Sequence, residues 1–146
     1  MSALRVLGAT VAGTLVAAAA WMATDPGSAA ADVLGPGVVT LEVGIDHSRF
    51  DLGPLRVREG TVVQFVVHNR DPIDHELIVG GPEVHRLHAD GTEGRHPPVP
   101  GEVSVAPGET ATTYYEFDRA GSVAYACHLP GHVAYGMAGE IEVVPA

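Results

Sequence analysis

The sequence predicts an all-β domain, an antiparallel sandwich or barrel of seven or eight short strands, on three observations. Apolar residues recur in short, partly alternating runs. Glycine (18) and proline (11) are plentiful between those runs. No stretch carries a long amphipathic helical stripe, and no internal repeat is visible. With 146 residues the chain suffices for one domain with a real core and hardly for two.

The first thirty residues differ from the rest. Arg5 is followed by an uncharged, alanine-rich run from Val6 to Ala23, and then by small residues in "DPGSAAADV". Ser28-Ala29-Ala30 and Ala29-Ala30-Ala31 both fit the small-x-small cleavage pattern of a secretory signal. As a helix the run would span roughly 27 Å, just short of a hydrocarbon core of about 30 Å. Residues 1–31 therefore read as a cleaved signal peptide, with an uncleaved membrane anchor as the alternative, in which Trp21 would suit the interface. Residues 32–146 form the folded domain. Either reading places that domain outside the cytoplasm: periplasmic, extracellular or bound to the cell envelope.

Within the domain, "VVTLEVGI" (residues 38–45) reads as a first strand, and "LGPLRVREGT" as a turn with a short strand. "TVVQFVVHN" (61–69) is the clearest element. Its Val63, Phe65 and Val67 share one face at period two, opposite Gln64 and His68. Asp71-Pro72 breaks it, and "DHELIVGG" supplies another strand, with His75, Leu77 and Val79 directed inward. Residues 82–101 hold four prolines and three glycines without sustained periodicity, and are expected to form a long loop. "EVSVAPGET" gives a strand and a turn, and "ATTYYEF", "GSVAYAC" and "GEIEVVP" complete the set.

All eight basic residues are arginine, against eighteen acids, for a net charge of −10. Removing residues 1–31 takes away one Arg and one Asp and leaves that balance unchanged. Nucleic acid is excluded as a partner, since its phosphates would be repelled. The acidic surface suits solubility or docking to a basic partner.

The segment "YACHLPGHVAYGM" (125–137) holds the only cysteine. A single Cys in an exported domain cannot form an internal disulfide, so it pairs with another chain, stays free, or binds something. Cys127 ends one strand and residue 140 begins the next, so His132 and Met137 lie in the loop between them, at C-x4-H-x4-M spacing. A thioether is a poor zinc donor, and structural zinc sites usually use paired cysteines. Copper accepts thiolate, imidazole and a distant thioether together, and two His, one Cys and a weak axial Met describe a blue-copper site. A second histidine must come from elsewhere. His75 is the best candidate, although seven others exist. His47 sits in a turn, His68 faces away from the better core face, and His85, His88 and His96 lie in the expected loop. His128 points away from Cys127 if strand geometry persists.

"NRDPIDHELIV", followed 52 residues after His75 by "CHLPGHVAYGMAGEIEV", resembles the cupredoxin family of small blue-copper proteins. The ligand-loop spacing is like that of rusticyanin and auracyanin, and the resemblance covers roughly residues 38–144. It implies a Greek-key β-sandwich, one type 1 copper ion, His75, Cys127 and His132 as strong ligands, and Met137 as the axial one. Two features depart from the common pattern. Many cupredoxins carry Asn after the first histidine, where it ties two ligand loops together, and this chain has Glu76. The 82–101 segment is also longer than a minimal carrier needs. In both respects the chain resembles the copper-tolerance cupredoxins of bacterial envelopes.

The function so implied is a monomeric one-electron carrier, not an enzyme, that meets redox partner proteins transiently. The edge of His132, ringed by Leu129, Pro130, Val133 and Ala134, is the expected electron port. The alternative is envelope copper handling: sequestration, delivery or tolerance. Membrane association through residues 1–31 is compatible with both. A multicopper enzyme fragment is disfavoured, because no His-x-His pair occurs. Met137 could instead be core filler. "HRLHADGTEGRH" reads first as a solvated loop, and His85, His88, Glu93 and His96 as a second metal site only in a minority reading.

Overall fold

The computed structural model describes residues 32–91, 95 and 97–146. Residues 1–31, and with them the signal or anchor reading, lie outside the described residues, as do Glu93 and His96. Among the described residues no helix is long and apolar enough to cross a membrane.

Nine strands and one helix are described. In chain order they are β1 (Val33–Leu34), β2 (Val38–Ile45), β3 (Leu55–Arg58), β4 (Thr61–Asn69), β5 (His75–Gly80), α1 (Pro82–Asp90), β6 (Glu102–Val105), β7 (Thr110–Phe117), β8 (Gly121–Ala126) and β9 (Ala138–Val144). One sheet runs β1-β3-β9-β8-β5-β6 and the other β2-β4-β7. The expected β-sandwich is therefore present, with two differences. Strand β1 raises the number to nine, and the pairings β1–β3, β2–β4 and β3–β9 are parallel rather than antiparallel.

Alternation builds the core. Along β4 every second residue is buried, so that Val63, Phe65 and Val67 face inward. They meet Val43 and Ile45 of β2, Phe117 of β7, and across the sandwich Leu77, Val79, Val103, Val105 and Ile141. On the outer face, His68 lies beside Thr110 and Glu42, partners its cross-strand position dictates. Cys127 and Met137 belong to the same buried cluster, so the loop between β8 and β9 is anchored in the core rather than perched on it.

The long loop expected over residues 82–101 is corrected: Pro82–Asp90 is helical. Pro82 stands at the helix start, where its missing N–H costs nothing, and Glu83 favours the positive end of the dipole. Arg86 pairs with Glu83 and Asp90 along the exposed face, at 2.6 and 3.6 Å. The N–H of Gly91 closes the last turn on the Leu87 carbonyl. The helix lies on β5, which explains why that strand is buried on both faces rather than alternately. Gly80 permits the approach, since a Cβ there would stand 2.6 Å from Val84 Cγ1.

Phe65 sits at the centre of this packing with no exposed surface. Phe65→Ala is expected to cost about 3–5 kcal/mol of stability, read as a lowered urea midpoint with unchanged slope for the copper-free protein.

Candidate metal centre

Two strand ends and one loop meet at one end of the sandwich. His75 opens β5, Cys127 directly follows β8, and the segment from Cys127 to Met137 returns the chain to β9. That segment is a series of tight turns bonded to itself. The His132 N–H donates to Leu129, the Tyr135 N–H to Gly131 and His132, and the Met137 N–H to His132. Gly131 and Gly136 adopt φ of +87° and +94°, which side-chain-bearing residues resist. The Cys127 N–H donates to the Met137 carbonyl at 3.0 Å and closes the loop at its base.

His75, Cys127 and His132 each offer a ligand atom, and these atoms all lie within 4.8 Å of one another. Among the described residues no other three His, Cys, Asp or Glu side chains converge so closely. Cys127 Sγ and His132 Nδ1 are 3.1 Å apart, and the rings of His75 and His132 lie 4.9 Å apart at 47°. Cys127 and Met137 have no exposed surface, and His75 is 1% exposed, whereas His132 is only half-buried. Met137 lies in the core at the far end of the same loop.

The orientation of His75 has a definite cause. Its Nε2 stands 2.9 Å from Asp71 Oδ2, and the carboxylate is gripped in turn by the backbone N–H groups of His47 and Ser48, both at 2.7 Å. Burial works against the charged Asp71 carboxylate. The Ser48 and His47 N–H groups and the His75 ring outweigh it and hold its pKa below the usual carboxylate range. A carboxylate accepts and cannot donate, so Nε2 carries the proton and Nδ1 is left with its lone pair. That Nδ1 is buried and has no hydrogen-bond partner.

Burial foremost pushes the Cys127 thiol up to about 11 from an ordinary value of 9.0, while the N–H groups of Glu76 and Leu129 pull the other way. Burial also lowers the pKa of His132, helped by nearby His75 and opposed by Asp71. At neutral pH the thiol proton is therefore available to the bare His132 Nδ1.

Glu76 answers the departure noted in the sequence. Its buried carboxylate accepts the backbone N–H of His128 at 2.7 Å, across 52 residues of chain. It thus joins the strand bearing His75 to the loop bearing Cys127, the task that Asn performs elsewhere. His128 points away from Cys127, as strand geometry requires, and meets His85 of α1. Asp71 is the residue that sequence reading missed. It was legible only as part of a strand-breaking Asp-Pro, although its i, i+4 spacing to His75 was there to be seen.

The family profile for copper binding proteins of the plastocyanin/azurin family matches residues 38–144. The chain belongs to that family. Its cofactor is copper. The chain is 38% identical over 103 residues to the copper-resistant cuproprotein CopI of Rubrivivax gelatinosus, covering 67% of this chain and 61% of that protein. It is 36% identical over 90 residues to CopI of Vibrio cholerae serotype O1, covering 60% of this chain and 53% of that protein. The matches thus span between half and two thirds of those relatives' lengths. Among solved structures, reduced auracyanin of Roseiflexus castenholzii superposes with a TM-score of 0.61 at 21% identity, over 73% of this chain and 97% of that one. Auracyanin A of Chloroflexus aurantiacus, described as a "blue" copper protein, gives 0.55 at 27%, over 74% and 100%. A blue copper oxidase of Nitrosomonas europaea shares the fold at 0.56 and 21%, but only 39% of that longer chain is covered. The cupredoxin fold expected from the sequence is thereby established.

The raised thiol has a consequence for the copper-free protein. A group whose folded pKa lies above its unfolded one contributes stability that is complete below the unfolded value and is lost as pH climbs through the folded value. The difference in unfolding free energy between wild type and Cys127→Ala is therefore expected to shift against the wild type from about pH 9 to about pH 11, measured by urea denaturation across that interval.

Proposed function

We propose that the protein is a type 1 copper electron carrier holding one ion, with His75 Nδ1, Cys127 Sγ and His132 Nδ1 as strong ligands and Met137 as the axial donor. The observation that carries this reading is the buried, unpartnered Nδ1 of His75 beside a thiol and a second imidazole. A polar atom buried without a partner costs on the order of 1–3 kcal/mol. A fold that retains one, and fixes its tautomer with a buried carboxylate, has a lone pair to present. Donors about 2.0–2.3 Å from a shared ion in a trigonal plane stand roughly 3.5–4 Å apart, which the 4.8 Å limit on this trio accommodates.

Copper bound there supplies a one-electron couple. The chain's own contribution is geometric and electrostatic. Asp71 and Glu76 hold the two ligand-bearing segments, and the self-bonded loop keeps His132 and Met137 in place. Both therefore limit rearrangement between oxidation states. The N–H groups of Glu76 and Leu129 aimed at the sulfur favour its thiolate form. Burial of Cys127, His75 and Met137 keeps substrate and bulk water from the centre, which favours a carrier over an enzyme. His132 is the ligand nearest solvent. Around it Val133 is 45% and Tyr135 71% exposed, with Leu129 half-buried. This apolar rim suits brief docking to a redox partner. An exported location fits residues 1–31.

Copper tolerance is the second reading, favoured by the likeness to CopI proteins named for copper resistance. It uses the same centre, and metal uptake by cells lacking the protein distinguishes it from a respiratory or photosynthetic carrier role.

The copper(II) form is expected to show an intense visible thiolate-to-copper band, and Cys127→Ser to abolish it. Met137→Leu is expected to retain the colour and raise the reduction potential. An unchanged spectrum and potential in Met137→Leu overturn the axial assignment. Asp71→Ala is expected to weaken copper binding about 10–100-fold, measured by competition with a chelator of known affinity.

A further inference from the structure

Helix α1 is attached to the sheet in an unusual way. It buries no residue fully, and its largest apolar side chain, Leu87, is 56% exposed. The half-buried positions are Val84, His85 and His88. Two imidazoles therefore occupy the face where an apolar stripe would ordinarily lie.

The His85 ring is directed toward His128, and the His88 ring lies near it. His85 Nε2 lies 3.2 Å from the Ala124 carbonyl, which can only accept, so Nε2 carries the proton and Nδ1 the lone pair. That Nδ1 is 2.8 Å from His128 Nε2, with the ring centroids 5.1 Å apart. The His88 ring is 6.2 Å from that of His128. Its Nδ1 donates to the Val84 carbonyl at 2.9 Å, and its Nε2 stands 3.3 Å from Glu102 Oε2. Helix α1 (85, 88), β6 (102) and the residue after Cys127 thus bring three imidazoles and a carboxylate together, outside the centre described above.

We propose that His85 and His128, joined by His88 and Glu102, form a second copper(II) site on the outer side of the sheet. Two nitrogens bound at right angles to one ion at about 2.0 Å stand about 2.8 Å apart, the separation His85 and His128 already have. The spacing is already present. The ion would lie to one side of the line between the two nitrogens, so both rings turn toward it. His128 Nε2 releases to solvent the proton it now donates to His85 Nδ1. The donor atoms of all three rings do not yet lie within 4.8 Å of one another, so His88 or Glu102 closes the site by side-chain rotation. Imidazole and carboxylate without thiolate or thioether favour the cupric ion, and copper(II) outranks the other divalent first-row metals at such donors. The rings of His85 and His128 border an open cleft of about 580 Å³, with Arg86, Ser122 and Glu140 also on its walls. An ion can reach them without entering the core, and the net charge of −10 draws cations toward the surface.

The site does not depend on the carrier reading, and its test separates the two. Full-chain protein already holding one copper is titrated with further copper(II), followed by spin resonance and by metal analysis after gel filtration. The wild type is expected to take a second ion at micromolar free copper, with the wide hyperfine splitting of a nitrogen and oxygen site and no added intense visible band. The double variant His85→Gln/His88→Gln is expected to keep the first ion and its colour, which reports a folded protein, and to bind the second at least tenfold more weakly. Cys127→Ser is expected to lose the intense band and retain the second ion. A wild type that takes only one ion overturns the proposal. So does a double variant that binds the second as tightly as wild type, because the ion then rests on other surface donors.

Discussion

The hydrogen bond between Asp71 and His75 is the constraint on which the rest of the centre depends. It settles which nitrogen of a buried imidazole bears the proton, and so which is free to face Cys127 and His132. The carboxylate can do this only because it is itself immobilised. His47 and Ser48 both adopt φ of +52°, an uncommon left-handed pair for non-glycine residues, and that turn directs two consecutive N–H groups onto the two Asp71 oxygens. On the other side, the Asp71 N–H donates to the Asn69 carbonyl oxygen Oδ1 at 2.9 Å. The Asn69 amide then donates to the carbonyls of Ile73, Val105 and Ala106. A chain of short-range bonds thus runs from the β2–β3 turn through residue 71 to Nε2 of His75, the ring edge opposite the unpartnered Nδ1.

Glu76 performs the complementary task between segments far apart in sequence. Burying a carboxylate is expensive unless it is bonded, and this one is bonded to the His128 N–H. The two halves of the centre are therefore coupled: displacement of the loop after β8 breaks a bond to the buried side chain of Glu76 on β5. Such coupling restrains His75 and Cys127 together, because neither segment can move without loss of a bond to a buried carboxylate. The hydrophobic cluster adds a second restraint, since Cys127 and Met137 belong to the same buried cluster as Ile141, Val143 and Val105.

Much of this was legible in the sequence, and the remainder was hidden for physical reasons. The period-two pattern of Val63, Phe65 and Val67 identified β4 because that strand is covered on one face only. The C-x4-H-x4-M spacing announced the loop because its donors are local. His75 could be favoured by its inward place at the head of a strand, and by family likeness, but its meeting with Cys127 and His132 was hidden, since those residues lie more than fifty positions away. Helix α1 escaped because the apolar periodicity that reveals helices is absent: histidines occupy its inner face. Its quieter signals were present in Pro82, Glu83 and the uninterrupted run to Gly91. The parallel pairing of β2 with β4 leaves no local mark, because it depends on a connection rather than on a turn. Asp71 was hidden by Pro72, whose breaking signal is stronger than the i, i+4 relation to His75. Glu76 looked like a defect until its distant partner was in place.

Two pairs of consecutive residues explain how one strand end serves both sides of the sheet. In extended chain, neighbours point to opposite faces. His75 and Cys127 turn inward, so Glu76 and His128 must turn outward, toward α1 and β6. The outward members are far from inert. One accepts the backbone N–H of the other, and the other presents its ring to His85. The alternation that creates a closed inner centre therefore obliges polar groups to collect directly behind it. A short helix whose inner face is imidazole rather than leucine is the covering such groups require: it satisfies them while leaving the cleft between helix and sheet open to water and ions. A leucine-faced helix would have sealed that cleft and stranded His128 beneath it. The polar character of α1 thus follows from the position of Cys127, one residue before His128.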